Sequence, residues 1–198
     1  PDESNLTIQL AGSEPEKYGI CAKIIESKGY DEINLNIGCP SDKVIKGKFG
    51  ACLMNSPKLV ADCILEIKNA CNLPISIKTR LGLGYDEDLS LLFELINETR
   101  DVGCEKYFIH ARNAILTGLS PKKNRKIPKL RYEDVVVVRN KYKDIELYLN
   151  GGLEGMPDIK NNISIFDGLM IGRKIYDDPM FLRKIDKEIY NNEDVITR

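Results

Sequence analysis

The chain contains no tryptophan, a single histidine and no apolar run near the length of about 20 residues that crosses a bilayer. Its first residues, Pro1 to Ser4, lack the character of a signal peptide. We therefore expect an intracellular protein, in the cytoplasm or in an organelle, without a membrane partner.

Zinc-binding patterns are also missing, because the six cysteines form no CxxC pair and only one histidine is available. This predicts no metal site and free thiols in a reducing compartment.

An excess of charge is lacking too: 29 Lys and Arg residues face 30 Asp and Glu residues, so a polyanionic partner must bind a local patch. The length of 198 residues predicts one domain. Since the chain begins without Met and stops at Arg198 after a predicted helix, we expect a fragment.

What the chain does contain is a series of six short apolar runs, each ending in a polar residue or a glycine. The runs are 6–9, 33–36, 75–78, 107–110, 147–150 and 169–172. Helical spacing or turn chemistry separates them, which predicts an α/β fold of parallel strands wrapped by helices. Because chemistry in such folds gathers where strands end, we expect one rim to contain Gln9, Asn36, Lys78, His110, Asn150 and Gly172.

Apolar periodicity predicts helices over about 15–28, from 57 onwards, and over about 86–102, 132–142 and 178–190. Ser13 is expected to cap the first of these helices and Pro15 to lie in its first turn. Cys63 is interpreted as a core residue. Residues 113–130 show no periodicity, and loops of this length are commonly functional.

Three side chains at the predicted rim could take part in a reaction or bind a cofactor. Cys39 is either a half-buried structural cysteine, a nucleophile or a proton donor, and without an adjacent histidine we favour the proton donor. Lys78 is either a surface residue, a fixed cation in a flavin or phosphate site, or a Schiff-base lysine. His110 is either packed in the core or functional, and Arg80 is interpreted as solvating the rim.

Two glycine turns follow the last two predicted strands. Asn150, Gly151 and Gly152 form the first, and Gly172 with Arg173 forms the second. Each is by itself an ordinary strand-to-helix turn, but in (β/α)8 barrels the corresponding loops commonly bind a phosphate. The pair therefore favours a phosphate-bearing cofactor.

A basic loop follows His110. Its cations are Lys122, Lys123, Arg125, Lys126, Lys129 and Arg131, with no carboxylate among them. Such a run is either a solvated surface or a set of contacts to nucleic-acid phosphates. Its place over the rim favours a large anionic substrate.

Residues 34–44 and 47–54 resemble the signature of the tRNA-dihydrouridine synthases. The segments 110–112, 118–122 and 128–132 are similar to the A-type bacterial subfamily in particular, and the resemblance covers nearly the whole chain. It implies a TIM (β/α)8 barrel of which residues 1–198 hold only the third to eighth strands. The first two strands and a helical tRNA-binding domain are then absent.

The resemblance also implies a reaction: FMN-dependent reduction of uridines in the tRNA D-loop, with NADPH as reductant and no protein partner. A hydride goes to C6 of the uracil, and Cys39 protonates C5. The positions matching FMN contacts are Gln9, Lys78, His110, Asn150, Gly151, Gly152, Gly172 and Arg173. The positions matching tRNA contacts are Asn36, Lys122 and Arg125.

Two other functions stay open. One is an FMN barrel that acts on a free pyrimidine, as dihydroorotate and dihydropyrimidine dehydrogenases do, although the basic loop argues against it. The other is a noncatalytic RNA-binding remnant, because the two absent strands would complete the cofactor site.

Overall fold

The computed structural model describes residues 4–192, in which parallel strands alternate with helices. The strands are β1 (Thr7–Leu10), β2 (Glu32–Asn36), β3 (Ile75–Arg80), β4 (Lys106–His110), β5 (Glu146–Asn150) and β6 (Gly168–Met170). The helices are α1 (Pro15–Ser27), α2 (Asp42–Lys46), α3 (Pro57–Ala70), α4 (Ser90–Asp101), α5 (Tyr132–Lys141), α6 (Met156–Asn162), α7 (Arg173–Asp177) and α8 (Met180–Tyr190). Two 3-10 helices span Gly50–Asn55 and Lys123–Arg125.

The six strands form one sheet in sequence order, and every neighbouring pair is parallel. The register places the ends of the strands level with one another: Asn36 pairs with Lys78, and His110 pairs with both Arg80 and Asn150. Polar residues far apart in sequence therefore lie side by side at the carboxyl edge of the sheet.

Strand residues alternate between two different environments, as the period of two requires. Ile33, Leu35 and Ile77 are fully buried and belong to the core between the sheet and its helices. Their neighbours in the strands are polar residues such as Asn34 and Ser76, which face the opposite side. The side chains that line the site thus come from the face of the sheet turned away from the helices.

Helices α1 and α3 cover this core and pack closely against each other. A Cβ at Gly19 of α1 would lie 3.2 Å from the backbone oxygen of Glu66 in α3. Ile64 and Ile67 of α3 are fully buried, and each contributes roughly 1.5–3 kcal/mol through burial. The packing of these helices keeps the carboxyl ends of the strands in fixed positions.

The predicted strands and the five longer helices are present, but several boundaries were wrong. Glu14, not Ser13, occupies the N-cap of α1, with Pro15 in its first turn. Helix α4 begins at Ser90 because the Asp88 carboxylate accepts a hydrogen bond from the Ser90 N–H at 3.2 Å and keeps the preceding residues in a loop. The last helix begins at Met180, and the predictions omitted the short helices α2, α6 and α7.

Among residues 4–192, none of the helices has the length and apolar character that crossing a bilayer requires. Cys63 is 1% exposed and lies in the core, as predicted.

Candidate functional site

A cavity of about 780 Å³ opens at the carboxyl ends of the strands. All the predicted site residues except Lys122 line it. They are Gln9, Asn36, Cys39, Lys78, His110, Arg125, Asn150, Gly151, Gly152, Gly172 and Arg173. The strand order brings these residues together although the first and the last are more than 160 positions apart in the chain.

Lys122 lies apart from this group. It is exposed at the N-terminal end of the 3-10 helix Lys123–Arg125, whereas Arg125 at the other end of that helix reaches the cavity. Any contact of Lys122 with RNA would therefore lie outside the cavity.

The turn that carries Cys39 is held by the side chain of Asn36. The Asn36 Oδ1 accepts hydrogen bonds from the backbone N–H of Gly38 at 3.2 Å and of Cys39 at 3.0 Å. A Cβ at Gly38 would lie 3.3 Å from backbone atoms of Thr79, so the turn packs closely against β3. The Cys39 thiol is half-buried and donates to the Ser41 Oγ at 3.5 Å. Its sulfur is thus fixed beside the cavity.

Lys78 joins two strands across the floor of the cavity. Its Nζ donates to Asn150 Oδ1 at 2.9 Å, and Asn150 Nδ2 donates to the Met170 carbonyl oxygen at 2.7 Å. Burial, followed by the nearby Arg80 guanidinium, lowers the pKa of Lys78 to about 8. The ammonium is therefore still charged at neutral pH, but it needs an anionic partner.

His110 is buried, and its Nδ1 has no hydrogen-bond partner among the described residues. Burial, reinforced by the charges of Arg80 and Lys78, lowers the pKa of His110 far below its ordinary value. The imidazole is neutral at physiological pH, so it can offer or accept a hydrogen bond but is not a general acid.

The Gly151–Gly152 turn requires glycine at both positions. Their φ angles are +100° and +70°, and a Cβ at Gly151 would lie 3.0 Å from the His110 ring. A Cβ at Gly152 would collide with Leu130 at 2.5 Å. At Gly172, which lies beyond the end of β6, a Cβ would meet nothing within 4 Å apart from its chain neighbours. The first turn therefore brings bare backbone to the cavity, while the second provides an open rim.

Arg80 was wrongly expected to solvate the rim. It is 5% exposed, and its Nε donates to the Gly38 carbonyl oxygen at 2.9 Å, next to Cys39. Its Nη1 donates to the carbonyl oxygens of Asn113 at 3.0 Å and Asn124 at 3.2 Å. Arg80 thus connects the turn of Cys39 with the basic loop. Its position two residues after Lys78, on the same face of β3, is the signal that could have revealed it.

The basic loop is more firmly anchored, and less cationic, than its sequence indicated. Arg131 is 2% exposed and pairs with Asp134 at 2.9 Å, so it is not available to a phosphate. Lys129 lies 3.4 Å from Glu87, which belongs to another loop. The remaining cations of the loop are exposed, and two of them, Arg125 and Lys126, line the cavity.

The donor set of the cavity fits an anionic ligand. Positive side chains outnumber carboxylates in its lining, where Glu154 and Asp177 are the only carboxylates among residues 4–192. The unpartnered His110 Nδ1 and the bare Gly151 backbone offer positions for polar ligand atoms.

The sequence matches known proteins over its full length. The sequence model of the family described as Dihydrouridine synthase (Dus) matches residues 1–198. A relative from Pseudomonas putida is 40% identical over 191 residues, which cover 96% of this chain and 57% of that protein. A relative from Escherichia coli K12 is 42% identical over 194 residues, or 98% of this chain and 56% of that protein.

A relative from Vibrio vulnificus is 39% identical over 198 residues, which cover 100% of this chain and 61% of that protein. All three relatives carry the name tRNA-dihydrouridine(20/20a) synthase. The chain thus spans little more than half the length of these curated relatives.

Proposed function

The chain belongs to the dihydrouridine synthase family, and from this premise we propose that it reduces uridines of tRNA to 5,6-dihydrouridine. The observation that carries the proposal is the convergence of Cys39, Lys78 and His110, from three different strand ends, on one cavity. The names of the relatives support tRNA as the substrate. With tRNA as substrate, we place the activity in the cytoplasm.

In the proposed architecture, β1 to β6 are the third to eighth strands of a (β/α)8 barrel, and residues 1–198 form its FMN-binding catalytic domain. The all-parallel sheet in sequence order supports this assignment, because a barrel orders its strands in the same way. The greater length of the relatives is consistent with two preceding strands and a helical tRNA-binding domain elsewhere.

FMN is the cofactor we propose, with NADPH as its reductant. The residues that would hold FMN are Gln9, Lys78, His110, Asn150, Gly151, Gly152, Gly172 and Arg173. The cationic cavity suits a phosphate, and the unpartnered His110 Nδ1 suits a polar atom of the flavin. When bound and reduced, FMN supplies the hydride that is transferred to C6 of the uracil.

The side chains around it complete the reaction. The Cys39 thiol donates its proton to C5 of the uracil, and the sulfur is left as a thiolate. Arg80 helps to hold that cysteine in place, because its Nε donates to the carbonyl oxygen of the preceding residue, Gly38, at 2.9 Å. His110 remains neutral and positions polar atoms without moving a proton.

For tRNA, we propose that Asn36, Lys122 and Arg125 contact the substrate near the flipped uridine. A base must leave its stack to enter a cavity of this kind, and cations on the rim then bind the adjoining phosphates. The positions in the names of the relatives indicate uridines 20 and 20a. Sequencing of dihydrouridines in tRNA from cells without the gene tests this choice.

A cysteine substitution tests the reaction itself. In the complete gene product, Cys39→Ala is expected to retain bound flavin and to lose about 10²–10⁴-fold in turnover on unmodified tRNA, the usual effect of removing a general acid. Cys52→Ala is the matched control and should retain turnover, because Cys52 is a half-buried free cysteine in the 3-10 helix Gly50–Asn55 that does not line the cavity. Equal rates for both variants would remove Cys39 from the role of acid. Protein that binds no FMN, or that reduces free uracil faster than tRNA, would contradict the proposed function.

A further inference from the structure

Below the cavity, the same face of the sheet contains buried polar side chains that the proposed reaction does not use. Glu32 is 7% exposed, Asn34 is 4% exposed and Ser76 is fully buried. Buried polar groups of this kind are costly unless they are hydrogen-bonded to one another. Their hydrogen bonds run in a continuous series toward the turn of Cys39.

The series, which we call the relay, consists of Glu32, Ser76, Asn34, Gln9 and Asn36. The Ser76 hydroxyl donates to Glu32 Oε1, and Asn34 Nδ2 donates to Ser76 Oγ at 2.8 Å. Gln9 Nε2 donates to Asn34 Oδ1 at 2.7 Å, and Asn36 Nδ2 donates to Gln9 Oε1 at 3.0 Å. Every donor in the relay therefore points toward Glu32.

Both ends of the relay impose this direction. An ionised carboxylate can only accept hydrogen bonds, so Glu32 obliges Ser76 to donate. At the other end, the backbone N–H groups of Gly38 and Cys39 can only donate, so they require the Oδ1 of Asn36 to face them. The amide side chains between them have one orientation that satisfies both ends.

Lys106 requires a hydrogen-bond acceptor at position 32. Its Nζ donates to Glu32 Oε2 at 2.6 Å, and this hydrogen bond is the main cause of a raised pKa of Lys106. The ammonium has three donors and no acceptor, so the atom that faces it must be an acceptor.

We propose that Glu32 is a positioning residue, whose buried carboxylate sets the direction of the relay and thereby orients the Gln9 amide and the turn that carries Cys39. Glu32 itself does not line the cavity. This inference rests on the proposed function only where it assumes that Gln9 and Cys39 take part in the reaction. The orientation of their side chain and turn by the relay exists without substrate.

Replacing Glu32 by glutamine keeps the shape of the side chain but changes which of its atoms donate, so it tests the direction of the relay separately from its packing. In Glu32→Gln, the carbonyl oxygen must face Lys106, so the amide nitrogen faces Ser76 and donates to its Oγ. The Ser76 hydroxyl has then lost its acceptor, and within the relay it regains one when Asn34 turns its Oδ1 toward it, after which each following amide reverses. The Nδ2 of Asn36 would finally face the N–H groups of the turn, which lose their acceptor.

Hydrogen exchange of the Gly38 and Cys39 amides in the complete gene product measures this reversal without FMN or tRNA. In Glu32→Gln, their exchange is expected to accelerate about tenfold, the equivalent of roughly one hydrogen bond. Adding Lys106→Met frees the glutamine to turn its oxygen back toward Ser76, so the double variant should return to within about twofold of the wild type. Glu146→Gln is the matched control, because Glu146 also lies near Lys106, at 3.9 Å, but is not part of the relay.

Rescue by the second substitution distinguishes the proposal from a merely structural ion pair. If only the pair between Glu32 and Lys106 mattered, removing the second partner would restore nothing in the turn. If Glu32→Gln does not fold, recovery of folding by Lys106→Met is the supporting result. Unchanged exchange in Glu32→Gln, or a double variant that does not recover, would overturn the proposal. The exchange measurement needs no turnover. A negative result would therefore overturn the role of Glu32 and leave the proposed reaction intact, and a failure of the proposed reaction would leave the role of Glu32 intact.

Discussion

Lys78 retains a positive charge where burial and a neighbouring guanidinium both oppose it. His110, buried beside the same cations, is neutral instead. Buried charges of this kind concentrate at functional sites, where an anionic ligand can stabilise them. At the scale of the residue, the cavity is thus prepared for an anion.

The charge of Lys78 predicts how stability depends on pH. Its pKa is about 8 in the folded chain, against an ordinary value of 10.5. Below pH 8 the buried charge opposes folding fully, and above about 10.5 the amine is neutral in both states. The wild type should therefore gain stability relative to Lys78→Met as pH rises through this interval.

Thermal denaturation of both proteins between pH 7 and about 10.5 measures this difference. Lys122→Met, at an exposed lysine outside the cavity, is the control and should run parallel to the wild type. A constant difference between wild type and Lys78→Met would contradict the depressed pKa.

Gly151→Ala tests the requirement for bare backbone. The alanine must adopt a φ of +100° with its Cβ 3.0 Å from the His110 ring. We expect a loss of about 1–3 kcal/mol in the free energy of unfolding, measured with denaturant. Gly172→Ala, where the Cβ meets nothing within 4 Å, should change that free energy by less than about 0.5 kcal/mol. Equal losses would show that the conformation of Gly151 is not strained.

At the scale of the element, the basic loop of residues 113–131 is a fixed structure. Asn124 is fully buried at its centre: its Oδ1 accepts from the Ile115 N–H at 2.8 Å, and its Nδ2 donates to the Ile115 carbonyl oxygen at 2.9 Å. Arg80 joins the same loop to β3. A loop whose only regular element is the short 3-10 helix Lys123–Arg125 is thus anchored by Asn124 from within and by Arg80 from the sheet.

Asn124→Ala should release this loop. Buried backbone groups at Ile115 lose their partners, at a cost of about 1–3 kcal/mol each. We expect faster proteolysis within residues 113–131 and weaker tRNA binding, while α1 and α3 remain protected. Lys123→Ala, at the exposed neighbouring position, is the control. Proteolysis that stays at the wild-type rate would mean that Asn124 does not anchor the loop.

How much of this could be predicted from the sequence depends on the range of the interactions. Strand ends follow from a local period of two, so Asn36, Lys78 and His110 could be placed at one rim. The role of Arg80 could not, because its partners are carbonyl oxygens at 38, 113 and 124 that meet only in the folded chain. Arg131 was also misjudged as a cation of the RNA surface. Asp134 is only three residues away, but the other groups that hold the guanidinium, Asn113 Oδ1 at 2.8 Å and the Glu87 carbonyl oxygen at 3.0 Å, are distant in sequence.

At the scale of the whole molecule, the charges nearly cancel but are unevenly distributed. The sequence carries 29 basic and 30 acidic residues, yet cations such as Lys78, Arg125 and Arg173 gather around the cavity. A local field of this kind attracts a polyanion and is weakened by salt. Net charge alone would have given no indication of it.

Arg125→Glu tests this distribution, with Lys28→Glu at the far end of α1 as a control of equal charge. Salt titrations of tRNA binding should show weaker affinity for Arg125→Glu and a log–log slope smaller by about 0.9 for a lost phosphate contact. Lys28→Glu should keep the wild-type slope. Identical slopes in both variants would place tRNA elsewhere on the surface.

The alternation along β3 has a consequence for how such a protein can diverge. Ile77 packs under the helices, while Lys78 next to it reaches the cavity. Inserting or deleting one codon inside this strand would rotate every later side chain by half a turn, exchanging ammonium for hydrocarbon. Length changes in the genes of descendants should therefore accumulate between strands and spare their interiors.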